Sequence, residues 1–185
     1  MEKKYKIIYA DPPWKYDDKL GTNIAKMGGY SKYYEGMELN EICRLPIKEI
    51  SDDDCILFLW ATMPMLKEAF EVIESWGFKY KTCAFSWIKL NPKNGKIFKG
   101  VGRWVQGNNE LVLLATKGKP KRVTKNISQI IMGKRRQHSR KPDEVRERIV
   151  KLMGDLPRIE LFARQRFKGW DVFGNQTPED VQETI

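Results

Sequence analysis

Short apolar runs alternate along this chain with stretches whose apolar residues recur every three or four positions, the mixture expected of strands alternating with helices. Residues 6–10 (KIIYA) form a β-rich run stopped by Asp11-Pro12-Pro13, the pattern of a buried strand whose carboxyl end opens onto a turn. Residues 55–61 (CILFLWA) are the clearest buried strand. Residues 78–90, 110–116 (ELVLLAT) and 158–163 (RIELFA) read as further strands, and 170–173 as a last short one. Pro64 and Gly77 bracket a helix in which Leu66, Ala69, Phe70, Ile73 and Trp76 make one apolar stripe. Pro142 and Gly154 bracket a second, with Val145, Ile149 and Leu152 facing inward. A shorter helix over 38–45 is closed off by Pro46. Residues 15–36 and 91–106 are polar, rich in Gly and Lys and without a sustained period, so they read as long loops, and long loops in compact domains usually carry function. Residues 117–141 are strongly basic.

Strands alternating with helices imply an α/β fold, a mostly parallel sheet covered by helices on both faces, in which ligands bind outside the carboxyl ends of the strands. Asp11 and Arg164 both fall at such ends. At 185 residues the chain suffices for one core, taken here as residues 1–176, with 177–185 as a polar tail.

Composition narrows the classes. Apolar residues make up 41% of the chain, and no apolar run approaches the roughly 18 residues that span a membrane. The basic, apolar N-terminus is too short for a secretion signal, and Cys43, Cys55 and Cys83 are scattered in apolar segments as free thiols would be. A soluble cytoplasmic protein is the expectation. The net charge of +10 and the pI near 9.5 favour polyanionic partners, nucleic acid first. Neither the cysteines nor the sole histidine, His138, has metal-ligand spacing, and no metal is expected. The chain lacks a G-x-G-x-x-G loop, so nothing points to a dinucleotide.

The candidate chemistry lies at the first strand's exit, in Asp11-Pro12-Pro13-Trp14. An aromatic amine is a poor nucleophile because its lone pair is delocalised into the ring, so catalysis must favour the pyramidal form that develops in the transition state. Acceptors for its two N–H bonds would do this. Asp11 supplies a carboxylate, the Pro12 carbonyl is held in a stiff extended conformation by consecutive prolines, and Trp14 offers a face on which a base can stack.

From these residues onward the sequence resembles the DPPW-type adenine amino-nitrogen methyltransferases, the family that includes the catalytic subunit of messenger-RNA adenosine methyltransferase and many bacterial and phage DNA adenine methyltransferases. The likeness runs through Ala10-Asp-Pro-Pro-Trp14, Leu57-Phe-Leu-Trp60, Trp87-Ile-Lys89, Ser139-Arg-Lys-Pro-Asp-Glu144 and Ile159-Glu-Leu-Phe-Ala-Arg164, with Gly174-Asn-Gln176 after it. The resemblance implies a Rossmann-like S-adenosylmethionine-dependent methyltransferase in permuted motif order, with the catalytic turn ahead of the main cofactor-binding strand. By the family's pattern Asp11, Lys141, Phe162, Arg164, Arg166, Asn175 and Gln176 contact S-adenosyl-L-methionine; Arg166 stands where relatives often carry another residue type. The same pattern sets Tyr34, Trp60, Trp87, Lys89, Glu110 and Ser139 near the target base. Trp60 and Trp87 lie in apolar runs and suit core packing equally, and Ser139 suits a helix cap equally. Longer members use a segment before the catalytic strand to help hold the cofactor's adenine; ten residues precede Asp11 here, which leaves that contact to other residues.

Adenine in a duplex hides its amino group, so such an enzyme must flip the base or act on a single strand, with phosphate contacts helping to offset the unstacking. The loops over 15–32 and 89–103, together with Lys134, Arg135, Arg136 and Arg140, provide cations for this. The expected substrate is DNA rather than RNA, on compactness and the absence of an RNA-binding module. Specificity then comes from the loops or from a second subunit or protomer. RNA methylation, a non-catalytic nucleic-acid-binding partner subunit, and methylation of a glutamine or small-molecule amide are the rival readings.

Overall fold

The computed structural model describes residues 3–16, 36–100, 102, 104–136 and 140–174. Tyr34, His138, Ser139, Asn175, Gln176 and the 177–185 tail, together with most of the first loop, lie outside the described residues.

Strand β1 (Tyr5–Ala10) shows how the core is divided. Its Ile8 and Ala10 point into one apolar layer and its Ile7 and Tyr9 into the other, as the two-residue period of a strand requires. In β2 (Ser51–Ala61), Cys55, Leu57, Leu59 and Ala61 share the first layer, while Ile56, Phe58 and Trp60 share the second. Both faces are covered, which is why this strand reads as a continuous apolar run rather than an alternating one. Each such side chain removed from water contributes on the order of 1.5–3 kcal/mol.

Helices close both layers. The first is covered by α1 (Leu39–Cys43), α2 (Ile47–Ile50) and α3 (Leu66–Ser75) through Ile42, Ile47, Ala69, Val72 and Ile73. Glu38 and Glu41 form a reciprocal cap on α1. Pro46 does end α1 as expected, but it also opens α2, a position where a missing N–H costs nothing. Pro64 lies in a 3-10 turn, Met63–Met65, that leads into α3, and Gly77 leaves the helix at φ 80. The buried face of α3 is Ala69, Val72 and Ile73, followed by Trp76, whose indole N–H donates to the Ile42 carbonyl at 2.8 Å. Phe70 is only half-buried and meets the Tyr80 ring edge-on at 4.9 Å. The second layer is covered by α4 (Glu144–Met153), which buries Val145, Ile149 and Met153 at four-residue spacing. Leu152, expected to face inward, is half-buried beside that stripe.

The remaining strands are β3 (Lys79–Leu90), β4 (Asn109–Lys117), β5 (Ile130–Lys134), β6 (Arg158–Leu161) and β7 (Asp171–Phe173), in the sheet order β5-β3-β4-β2-β1-β6-β7. β4 is antiparallel to both neighbours and every other pairing is parallel, so the sheet is mixed but mostly parallel, as expected. The carboxyl ends of the other six strands and the amino end of β4 therefore share one edge of the sheet. β5 went unread within the basic 117–141 tract, because only one of its residues, Ile131, is fully buried and the apolar signal is correspondingly thin. Its outer edge is covered by Arg148, which donates to the carbonyls of Ser128 and Ile130. No helix among the described residues is long and apolar enough to cross a membrane.

Candidate active site

β1 delivers Asp11 to the shared edge, and the turn beyond it is tightly constrained. The Trp14 N–H donates to the Pro12 carbonyl at 2.9 Å, closing a three-residue turn around Pro13. The Pro12 carbonyl is thus not simply extended, as the sequence suggested: one of its lone pairs is occupied and one remains to accept a second donor. Met37 N–H donates to the Pro13 carbonyl at 2.8 Å, pairing the turn with the segment before α1. On the other side the Trp14 indole N–H reaches the Trp60 carbonyl at 3.3 Å, and the Tyr16 and Thr62 hydroxyls are 2.8 Å apart. Both contacts staple the turn to the exit of β2. Trp14 is half-buried as a result and packs against the first apolar layer.

Around Asp11 the sheet gathers four charges. The Lys141 ammonium, 130 residues away in sequence, sits 2.8 Å from Asp11 Oδ2 and 3.4 Å from Glu110 Oε2, and Lys89 pairs with the other Glu110 oxygen. Lys89 comes from the end of β3 and Glu110 from the start of β4; the reversal of β4 is what brings Glu110 to this edge. Burial would lower the Lys141 pKa, yet Asp11 and Glu110 outweigh it and hold the ammonium above the ordinary lysine value. Burial would raise Glu110, and Lys141 and Lys89 together hold it below the usual glutamate range. Both shifts favour the charged forms of Lys141 and Glu110, and the formal charges of the four side chains cancel.

Trp60 and Trp87 lie beneath this network in the second apolar layer, 1% and 4% exposed. Lys141 Nζ stands 5.1 Å from the Trp60 ring and Lys89 Nζ 5.4 Å from the Trp87 ring, both within cation–π range. The Trp60 indole N–H donates to the Tyr9 hydroxyl at 2.6 Å, and that of Trp87 to the Gly133 carbonyl at 3.0 Å. The two tryptophans that the resemblance set near the base are therefore a floor under the lysines, with their faces covered by protein.

At the exits of β6 and β7 the chain takes a path suited to close approach. Phe162 adopts φ 60, Ala163 N–H donates to the Phe173 carbonyl at 3.0 Å, and a Cβ on Gly174 would run into the Ala163 backbone. Leu45, Pro46, Ile47, Leu161 and Phe173 line an apolar hollow of about 130 Å³ next to these residues. Arg164 is half-buried here and Arg166 exposed.

The basic residues named for phosphate differ in what they do. Lys134 is exposed. Arg135 lies with its guanidinium 3.9 Å from the Phe98 ring centre. Arg136, though exposed, donates to Asp143 at 2.7 Å and to the Lys141 carbonyl at 3.0 Å, and Arg140 stands 3.7 Å from the same Asp143. Arg136 and Arg140 thus brace the segment that presents Lys141. Behind it, Arg146 of α4 makes a two-pronged pair with Glu160 of β6, 2.6 Å at its Nε, and packs 3.8 Å from the Phe167 ring centre. Asp143, Arg146, Glu160 and Tyr9 were missed by sequence reasoning. The one available signal was Glu160, a lone acid inside an apolar strand. No group of three or more His, Cys, Asp or Glu side chains among the described residues is placed to hold a metal ion.

Residues 5–176 match the MT-A70 family. The type II methyltransferase M.MunI of Mycoplasma sp is 38% identical, with 98% of this chain aligned to 81% of that protein. The N(6)-adenosine-methyltransferase MT-A70-like protein of Arabidopsis thaliana is 31% identical over 92% of this chain, and the human N(6)-adenosine-methyltransferase catalytic subunit METTL3 is 29% identical over 94%. This chain spans only 23% and 28% of the lengths of those two larger proteins. Four charges converge on an Asp-Pro-Pro-Trp turn at the edge of a mostly parallel sheet, and the match runs through every strand: the chain belongs to the MT-A70 family of methyltransferases.

Proposed function

We propose that this protein transfers the methyl group of S-adenosyl-L-methionine to the exocyclic amino group of adenine in DNA, giving N(6)-methyladenine. The observation that carries the reading is the pinning of the Asp11 carboxylate by Lys141 beside the half-free Pro12 carbonyl. Two acceptors so placed can take both N–H bonds of an incoming amine and turn its lone pair outward. Lys141 keeps Asp11 in one orientation, and Asp11 is the group next to the amine that can accept the proton released as the new N–C bond forms. Trp60, 1% exposed beneath Lys141, keeps water from that side of the pair.

The chain's own residues fit the cofactor. The charge pair suits a zwitterionic amino-acid end, and the apolar hollow beside Phe173 suits the face of a flat ring. Asp11, Lys141, Phe162, Arg164 and Arg166 are the described residues that would hold it, with Asn175 and Gln176 completing the set implied by the family. When bound, it supplies an electrophilic methyl group on a sulfonium.

DNA is favoured because the type II methyltransferase aligns over most of both chains, whereas the adenosine methyltransferases align over about a quarter of theirs. The net charge of +10 fits either polymer. Target recognition falls to the loops at the site edge or to a second subunit or protomer, and the site of action is the cytoplasm. Labelled methyl transfer to unmethylated DNA and to RNA of mixed sequence tests the reading. DNA acquires label, and Asp11→Ala lowers the rate by roughly 10²–10³-fold while circular dichroism stays unchanged. Label in RNA alone would reassign the substrate, and undiminished activity in Asp11→Ala would remove Asp11 from the chemistry.

A further inference from the structure

The segment joining β3 to β4 is not a plain loop. Lys89 N–H donates to the Asn108 carbonyl at 2.9 Å, Phe98 N–H to the Lys89 carbonyl at 2.7 Å, and Gly100 N–H to the Gly107 carbonyl at 3.1 Å. These bonds build a narrow arm on the strand ends that carry Lys89 and Glu110. Its glycines allow the two sides to approach: a Cβ at Gly100 would run into the Gly107 carbonyl, and one at Gly102 into the Val105 carbonyl. Arg135 stacks on Phe98 and seats the base of the arm against the segment after β5.

At the tip, Trp104 is 96% exposed and Val105 78%. No other tryptophan in the described residues approaches this exposure; Trp60, Trp76, Trp87 and Trp170 are buried. A side chain of this size held in water by a braced arm calls for a partner. The arm's charge identifies the partner's chemistry: residues 91–108 contain Lys93, Lys96, Lys99 and Arg103 and no acid. Cations flanking an aromatic platform match a strand that presents phosphates on its outside and base faces within.

Resting on the nucleic-acid reading above, we propose that this arm grips the substrate strand with its lysines while Trp104, backed by Val105, stacks on a base beside the target adenine. Stacking there replaces part of what the adenine's neighbours lose when it leaves the stack. The arm starts at Lys89, one ion pair from Glu110 and two from Lys141, so a base held at its tip belongs to the same strand that enters the site.

The test is equilibrium binding of a fluorescein-labelled single-stranded DNA of mixed sequence, read by anisotropy, for the parent, Trp104→Ala and Trp104→Phe. Sedimentation velocity and S-adenosylhomocysteine affinity are measured in parallel. Trp104→Ala should weaken DNA binding about 10-fold, Trp104→Phe should keep most of it, and the sedimentation coefficient and S-adenosylhomocysteine affinity should not change. Trp104→Ala binding DNA like the parent overturns the proposal. So does a changed sedimentation coefficient with DNA affinity intact, which assigns the tip to a protein contact such as a second copy. A parent that transfers methyl groups with no dependence of binding on Trp104 sinks the arm alone; a parent that binds through Trp104 but transfers no methyl group to any nucleic acid sinks the enzymatic reading and leaves the arm standing.

Discussion

Two buried carboxylates in this protein, Glu110 and Glu160, are 8% and 5% exposed, yet their surroundings push them in opposite directions. Glu110 faces two lysines and is held below the ordinary glutamate value. Glu160 faces one guanidinium; burial raises it, Arg146 only partly compensates, and Asp11 and Asp143 add to the rise. Burial depth is nearly the same, so the balance of neighbouring charge decides. The two also differ in origin. Glu160 and Arg146 lie 14 residues apart and tie one helix to one strand, whereas Glu110 belongs to a set assembled from β1, β3, β4 and the segment before α4. The first is a fastening, its side chains 11% and 6% exposed and its guanidinium packed on the Phe167 ring. The second sits at the sheet edge, its side chains 11–19% exposed, where a ligand can reach it.

The largest effect on stability comes from the fastening. Arg146→Met leaves Glu160 buried without its partner and should cost about 3–5 kcal/mol at neutral pH, read as a lowered urea midpoint, while the molecules that remain folded still transfer methyl groups. A variant as stable as the parent but inactive would reverse the assignment. Next comes Lys141→Met, which frees Asp11 to rotate: we expect a loss of roughly 10²–10³-fold in rate, or about 3–4 kcal/mol of transition-state stabilisation, in single-turnover methyl transfer.

Glu110→Gln sharpens the contrast through pH. Because the folded pKa of Glu110 is depressed, its contribution to stability is fully present above the ordinary value of 4.5 and is lost as pH falls through the lower folded value. The gap in urea midpoint between parent and Glu110→Gln should therefore close on acidification below that point. Glu160, being raised, acts in the opposite sense: its share is fully present below 4.5 and declines as pH climbs through the higher folded value. A gap that instead widened in acid would contradict the charge balance described here. The smallest effect belongs to a cation outside both clusters. Lys134→Ala should change stability by no more than about 0.5 kcal/mol and reduce the slope of log affinity against log salt for DNA by about 1.

Much of the scaffold was legible because it is written in neighbouring positions. The runs at 6–10 and 55–61 read as buried strands and are strands, and Pro64, Gly77, Pro142 and Gly154 marked helix limits within a residue or two. Where the local signal was thin, the reading failed. β5 has one fully buried residue inside a basic tract, and α2 is a single turn hidden behind Pro46, a residue that usually announces an end. The site was legible in part: Asp11 stood out by its place after a strand, while Lys141, Lys89 and Glu110 were named through family likeness and not through any pattern of their own.

The order of apolar and polar residues by itself determined that this is an α/β sheet with an acidic, proline-stiffened turn at a strand exit, since strand period and turn stereochemistry act over a few residues. Which charges meet at that turn was decided only by the tertiary structure. Strand order and the reversal of β4 carry residues 89, 110 and 141 to residue 11, and the protonation of Glu110 and Lys141 then depends on burial and on neighbours distant in sequence. Electrostatic energy follows distance in space and local dielectric, and neither quantity exists until the sheet has formed.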